Sequence, residues 1–412
     1  MYNAAAMLRF LTAGESHGPT LVVIVEGLPA GLRVDFDAIA RELRRRQGGH
    51  GRGRRMQIES DTAEVVSGIR KGETLGGPVA MLIRNRDWPN WQNTMYAGAE
   101  PPPDATGARR AIITRPRPGH ADLSGAIKYD REDMRDILER ASARETTARV
   151  AAGALARQLL AHAGVGIASH VITLGALRLA DPLAVTFDEI AALPPDSPLR
   201  CVDAALEAQM MAEIDRAKEA GDTYGGAFEV VAHGVPIGLG SHVQWDRKLD
   251  GRLAQAVMSI PAVKAVGIGM GPVVADLPGS KVHDEIVLPA PGAPARAIGV
   301  ARPTNHAGGL EGGITNGEDV RVTGYLKPIS TLMKPLRSVD LATMQESPAT
   351  IERSDVCAIT AAGVIGEAVV ALVLADAFLE KFSGDSIAEI DRNYAATRAR
   401  VRARFEPSGV TS

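Results

Sequence analysis

Between residues 361 and 382 the chain runs AAGVIGEAVVALVLADAFLEKF, and any fold must find a place for it. A membrane-spanning helix needs roughly 20 mostly apolar residues with few charges. Glu367 and Asp376 interrupt this run, so the expected element is a helix buried in a protein core. Apolar residues make up 45% of the 412 residues, enough to surround it, and with only 4% aromatic the packing falls to aliphatics and alanine. That length allows two or three average domains or one large unit.

Charge is nearly balanced: 46 basic against 49 acidic residues leave −3. This argues against a general nucleic-acid or membrane footprint, while leaving room for a local basic patch. Cys201 and Cys357 lie far apart, with no metal or redox-pair spacing, which implies a reducing compartment and no disulfide framework. The opening MYNAAAMLRFLTAG lacks a basic region followed by an apolar core, so no secretory signal is read and a cytoplasmic location is expected.

Short β-rich runs and helical spacings alternate along the chain. TLVVIVEGL (20–28), PVAMLIRN, AFEVVAHGV and DVRVTGYLKPI (319–329) read as strands, as does MQIESDTAEVVSGI. DFDAIARELRRR (35–46) has Phe36, Ile39 and Leu43 at helical spacing, an acidic start and a basic end. Residues 202–221, 247–260 and 386–405 also read as helices, and 85–113 as surface loop. In REDMRDILERASARETTARVAAGALARQLLAHAG a break is expected near 140–142. Ser142 and Glu145 have capping-box spacing, and Gly164 supplies a stop. Arg140, Ala141 and Ser142 would then sit at a helix N-terminus, where free N–H groups favour an anion; an ordinary cap needs the same residues. Strands and helices mix throughout, which favours one α/β body.

Four stretches combine catalytic residue types with glycine or proline control of the backbone. TAGESHGPT presents His17 just before the first strand. RRRQGGHGRGRR (44–55) crowds six arginines around glycines. RPRPGHAD stiffens a loop carrying Arg115, Arg117 and His120, and ERSDVCAITAAG places Arg353 and Asp355 before the apolar run. The Gly-Arg run could wrap RNA, but it lacks interleaved aromatics. Several guanidiniums at fixed angles suit a compact, multiply charged substrate better. NHAGGLEGGITNG (305–317) has glycine dense enough to lay backbone against a flat or phosphorylated ligand, and KPIST follows with Lys327, Ser330 and Thr331. No metal-ligand cluster or nucleophile elbow is visible. Two histidines, a carboxylate and many arginines fit acid–base work on a polyanion.

In this order, AGESHG, GRGRRM, RPRPGHAD, RASARET, HAGGLEGGITNG, KPIST and RSDVCA resemble the chorismate synthase family, from about Met7 to about residue 395. The resemblance implies an α+β fold, a single large β-α-β sandwich with helices between antiparallel sheets, spanning 7–405, with residues 1–6 and 406–412 disordered. It implies a homotetramer with no nucleic-acid or membrane partner. The implied reaction is a 1,4-anti elimination of phosphate from 5-enolpyruvylshikimate 3-phosphate, giving chorismate in the shikimate pathway to aromatic amino acids. Reduced FMN would be required without net redox change, with NADPH as a possible reductant.

The same resemblance gives His17 the role of protonating the departing phosphate and His120 that of protonating the reduced flavin. Asp355 would help remove the substrate proton through flavin N5. Arg46, Arg52, Arg55, Arg117 and Arg353 fall on positions for the anionic substrate, and Arg46 and Arg52 on the pair linked to NADPH. FMN positions carry over to Arg140, Ala141 and Ser142, to Gly312, to Lys327, Pro328, Ile329, Ser330 and Thr331, to Arg353 and, more weakly, to Ala262. The chain departs from the family pattern in having His50 where a tyrosine is usual, and Pro261 where a polar amide is common.

Overall fold

The apolar run folds as α7 (Ile359–Phe382), a helix buried nearly all round, as expected. It is long and apolar enough to cross a membrane, yet 89% of its most hydrophobic window is covered by the rest of the chain. The computed structural model describes residues 7–53, 61–289, 298–352 and 354–405. The expected disorder of 1–6 and 406–412, the first part of MQIESDTAEVVSGI, and Arg55 and Arg353 fall outside the described residues.

Two antiparallel sheets enclose the central helices. The first is formed by β1 (Arg9–Ala13), β2 (Thr20–Glu26), β3 (Ala63–Ser67) and β4 (Val79–Arg84), in the order β1-β2-β4-β3. Its inner face alternates in the sequence: Leu21, Val23 and Val25 with Val79, Met81 and Ile83, all at most 2% exposed. The second contains β5 (Gly166–Leu174), β6 (Leu177–Arg178), β7 (Gly226–His233), β8 (Val263–Ile268) and β9 (Val320–Leu326), in the order β8-β9-β7-β5-β6. Between the sheets lie α1 (Phe36–Gln47), α4 (Thr146–His162) and α7; α4 packs on β2 and α7 on β5 and β7. This is the α+β sandwich expected.

Glycine sets the closest approaches inside it. A Cβ on Gly153 of α4 would stand 2.4 Å from the Ala368 Cβ, and one on Gly366 would stand 2.4 Å from the Phe228 ring. Interiors this dense do not absorb an extra methyl without moving backbone. Glu367, placed mid-helix among apolar residues, is fully buried and accepts from both terminal nitrogens of Arg45 on α1 at 2.7 Å, from Ser169 on β5 at 2.6 Å, and from Arg157 on α4. Burial opposes its charge, but Arg45 and Arg157 outweigh that and hold the carboxyl well below the usual range. One carboxylate thus ties three helices to a strand.

Asp35 caps α1 through the Ala38 N–H, but Phe36 is 47% exposed, so only Ile39 and Leu43 of the expected stripe are buried. The helix expected at 202–221 is α5 (Ala204–Ala220), with Asp203 as cap and left-handed Gly221 as stop. Residues 247–260 give α6 (Leu249–Met258) and the tail gives α8 (Ile387–Phe405). β1, β5 and β8 were not read from the sequence, nor was α2 (Asp122–Tyr129), which follows the RPRPGHA loop.

Candidate active site

The expected break at 140–142 is present, with different capping. α3 (Arg135–Ala141) ends there, Ser142 is extended, residues 143–145 form a 3-10 turn, and α4 begins at Thr146. Arg140 and Ala141 therefore close a helix and do not open one; only Ser142 stands at a start. No capping box forms. The Ser142 hydroxyl accepts from Arg144 N–H at 3.4 Å, while the Glu145 carboxylate turns to Thr12 and Arg149. At the far end, Gly164 at φ +85° terminates α4 as expected.

This break lines an open cleft of about 510 Å³, bounded by Thr12, Arg140, Ala141, Ser142, Ser259 and Pro261. The Arg140 guanidinium donates to the carbonyls of Thr12 and Gly14 at 2.9 and 3.0 Å, fixing the wall against β1. Beyond Pro261, Ala262 adopts φ +72°, a conformation that costs a non-glycine residue about 1 kcal/mol or more. Its carbonyl accepts from Lys327 N–H at 3.0 Å. The Lys327 ammonium in turn donates to the Gly119 carbonyl, so the cleft wall, the KPIST segment and the His120 loop are joined in sequence.

Around His120 the contacts are dense. Its Nδ1 lies 2.5 Å from the Asp122 carboxylate. Arg117, 8% exposed, donates from Nε to the same carboxylate at 2.8 Å and from one terminal nitrogen to the Thr331 hydroxyl at 3.0 Å. Burial works against charge on Asp122, but the His120 and Arg117 hydrogen bonds prevail and hold its carboxyl well below the usual range. A carboxylate there assigns the Nδ1 proton to His120. Asp122 closes the quoted RPRPGHAD motif, but no role had been read for it.

His17 is held differently. Both carboxylate oxygens of Glu139, on α3, lie 2.8–2.9 Å from its Nδ1, and one of them also accepts from the His17 backbone N–H at 2.9 Å. Trp91 stacks on the imidazole with centroids 3.7 Å apart. Ser16 and Ser142 hydroxyls meet at 3.2 Å, joining the His17 loop to the cleft. Glu139 and Trp91 were both missed: one lay in the helical block with no role read for it, the other in the stretch expected to be loop.

Beyond α1, the described part of the Gly-Arg run, residues 48–53, is a packed turn. A Cβ on Gly51, at φ +82°, would stand 2.8 Å from Ile214. Gly53 N–H donates to Asp355 at 2.6 Å, and Arg52 Nε lies 3.4 Å from its other oxygen. His50 turns to Asp215 at 2.8 Å. Arg46 is 4% exposed and donates to the Thr146 hydroxyl and the Ala143 carbonyl at 2.9 and 2.8 Å, bracing the start of α4. Arg46 is thus enclosed in that network, while Arg52 lies beside Asp355. Gly312 also stands apart. It turns a short hairpin whose Gly313 carbonyl meets the first residue of α6, while Ser259 and Pro261 follow the last. At 1.5 Å per residue the ten-residue α6 separates them by about 15 Å.

The comparisons with known proteins give the family. The profile of the family described as chorismate synthase matches residues 8–379. A chorismate synthase of Solibacter usitatus is 56% identical over 399 residues, covering 96% of this chain and all of the relative. One of Brevibacillus brevis is 54% identical over 392 residues, covering 95% and 99%. A crystal structure of a chorismate synthase superposes with a TM-score of 0.75 at 40% identity, covering 96% of this chain and 98% of that one. This chain belongs to the chorismate synthase family, and it is an enzyme of the carbon–oxygen lyase class acting on phosphate.

Proposed function

We propose that the enzyme converts 5-enolpyruvylshikimate 3-phosphate to chorismate by 1,4-anti elimination of phosphate, in the cytoplasm and as a homotetramer. The observation that carries this reading is the pairing of two histidines, each with a buried carboxylate on Nδ1, on loops tied by hydrogen bonds to one open cleft. Elimination breaks one C–O and one C–H bond, so it needs a proton delivered to the departing phosphate and a proton accepted from the ring. In this reading His17 gives the first through Nε2, because Nδ1 faces Glu139. Asp355, oriented through Gly53 N–H, is the carboxylate available to the second. Lys327 offers positive charge beside the His120 loop.

The cleft volume lies within the range of sites for drug-sized ligands, roughly 300–1,000 Å³, and its walls suit a flavin: backbone at Ala141 and Ser142, a cation at Arg140, and Pro261 with Ala262 next to it in the chain. These residues, with Lys327 to Thr331, would hold FMN. When bound and reduced, FMN supplies electron density that the protein side chains cannot. The test is phosphate release from the enolpyruvyl substrate under anaerobic conditions with dithionite-reduced FMN. Release that continues over many turnovers at the same rate with and without NADPH supports the reading. Stoichiometric NADPH consumption would instead indicate an ordinary flavin oxidoreductase.

A further inference from the structure

The mechanism above uses His17 but leaves unexplained why two groups from distant parts of the chain converge on its ring. Glu139 comes from α3 and Trp91 from the long 85–113 loop. Glu139 is 1% exposed and spends three contacts on His17, one to the backbone N–H and two to Nδ1. Trp91 is 5% exposed, covers one face of the imidazole at a 22° interplanar angle, and anchors its own Nε1–H on Asp87 at 2.9 Å. Behind the indole lies Arg110, 3.9 Å from its centroid. A ring pinned at one edge and one face has a single orientation.

We propose that Glu139 and Trp91 form a clamp that fixes His17 with a proton on Nδ1, so that Nε2 is the nitrogen through which it donates. Glu139 is a positioning residue, acting through His17. An ionised carboxylate accepts only, so it selects the Nδ1–H tautomer of the neutral ring and sets a negative charge beside the imidazolium that an acid must be before it donates. Burial raises the Glu139 carboxyl, but its hydrogen bond with His17 and the charges of His17 and Arg135 bring it below the usual range. Among the described residues, charged groups around the clamp include Glu15, whose carboxylate lies beside Gly18, Asp87 and Arg110 on the loop, and Arg135, which lies 3.5 Å from Glu139.

The clamp rests on the reading of His17 as proton donor to the leaving phosphate, and one arm of its test is independent of that reading. In a Trp88→Phe/Trp245→Phe background only Trp91 emits. An imidazolium stacked on indole quenches its fluorescence more than the neutral ring does, so emission followed against pH, without substrate or flavin, reports His17 protonation. Glu139→Gln, which removes the negative charge facing the ring, is expected to lower the quenching midpoint. With reduced FMN and the enolpyruvyl substrate it should lower kcat on the order of 10²-fold, with KM nearly unchanged. Glu139→Asp, which keeps the charge, should hold the wild-type midpoint and recover about tenfold of the lost kcat. Adding Glu139→Gln to His17→Gln should cost nothing further. An unmoved midpoint, equal further loss in the His17→Gln background, or failure of Glu139→Gln to fold would each overturn the clamp. A shifted midpoint with unchanged kcat would overturn the donor role while leaving the tautomer assignment standing.

Discussion

The two histidine loops solve one problem by opposite routes. His120 takes its carboxylate from Asp122, two residues away, and its guanidinium from Arg117, three residues back. His17 takes its carboxylate from Glu139, 122 residues later, and its stacking partner from Trp91. The first unit is built largely within one stiff loop and then docked through Thr331 and Lys327. The second exists only when three separate segments have come together. The difference teaches where each should be fragile: His120 to changes within its own motif, His17 to anything that shifts α3 or the 85–113 loop.

The largest expected effect tests whether both loops carry chemistry at all. His17→Ala and His120→Ala should each lower turnover about 10²-fold or more, the scale of a lost acid–base group. Near-normal turnover of either, measured as phosphate release, removes that histidine from the mechanism. Next, Asp122→Asn leaves Arg117 buried without its carboxylate, which should cost about 3–5 kcal/mol in denaturant unfolding. A loss below about 1 kcal/mol would mean that the loop is held by Thr331 and Lys327 instead.

Acid separates the loops further. Asp122 and Glu139 both titrate below the ordinary carboxylate range in the folded protein, so each contributes stability at neutral pH that fades as pH falls through its folded value. The displacement at Asp122 is the larger. Unfolding free energies measured between about pH 5 and 2.5 should therefore lose more of their pH dependence in Asp122→Asn than in Glu139→Gln. The smallest effect is that of Thr331→Val, which removes one acceptor of Arg117 and should cost about 0.5–1.5 kcal/mol, with His17-dependent fluorescence untouched.

The same contrast explains what was legible in the sequence. Strands β2 and β4 face the core on one side only, so their alternation announces them. β5 is buried on both faces and carries Ser169 and His170, each hydrogen-bonded to a partner far along the chain, Glu367 and Glu229. Its letters GIASHVITL have no period to detect. The two histidines stood out through their glycine and proline neighbours, but Glu139 and Trp91 gain meaning only from tertiary contact. The Ser142–Glu145 spacing misled for a related reason: Thr12 and Arg149 offer Glu145 better partners than the cap does. The resemblance to a known family supplied the sandwich and the residue roles, which periodicity alone did not.

Glu367 carries a consequence for how the molecule comes apart. Helices facing both sheets share that single negative charge, so neither sheet keeps its cover once the other is released. Heating should then show one calorimetric peak, with melting of either half dragging the other along, and no partly folded species that retains one sheet alone.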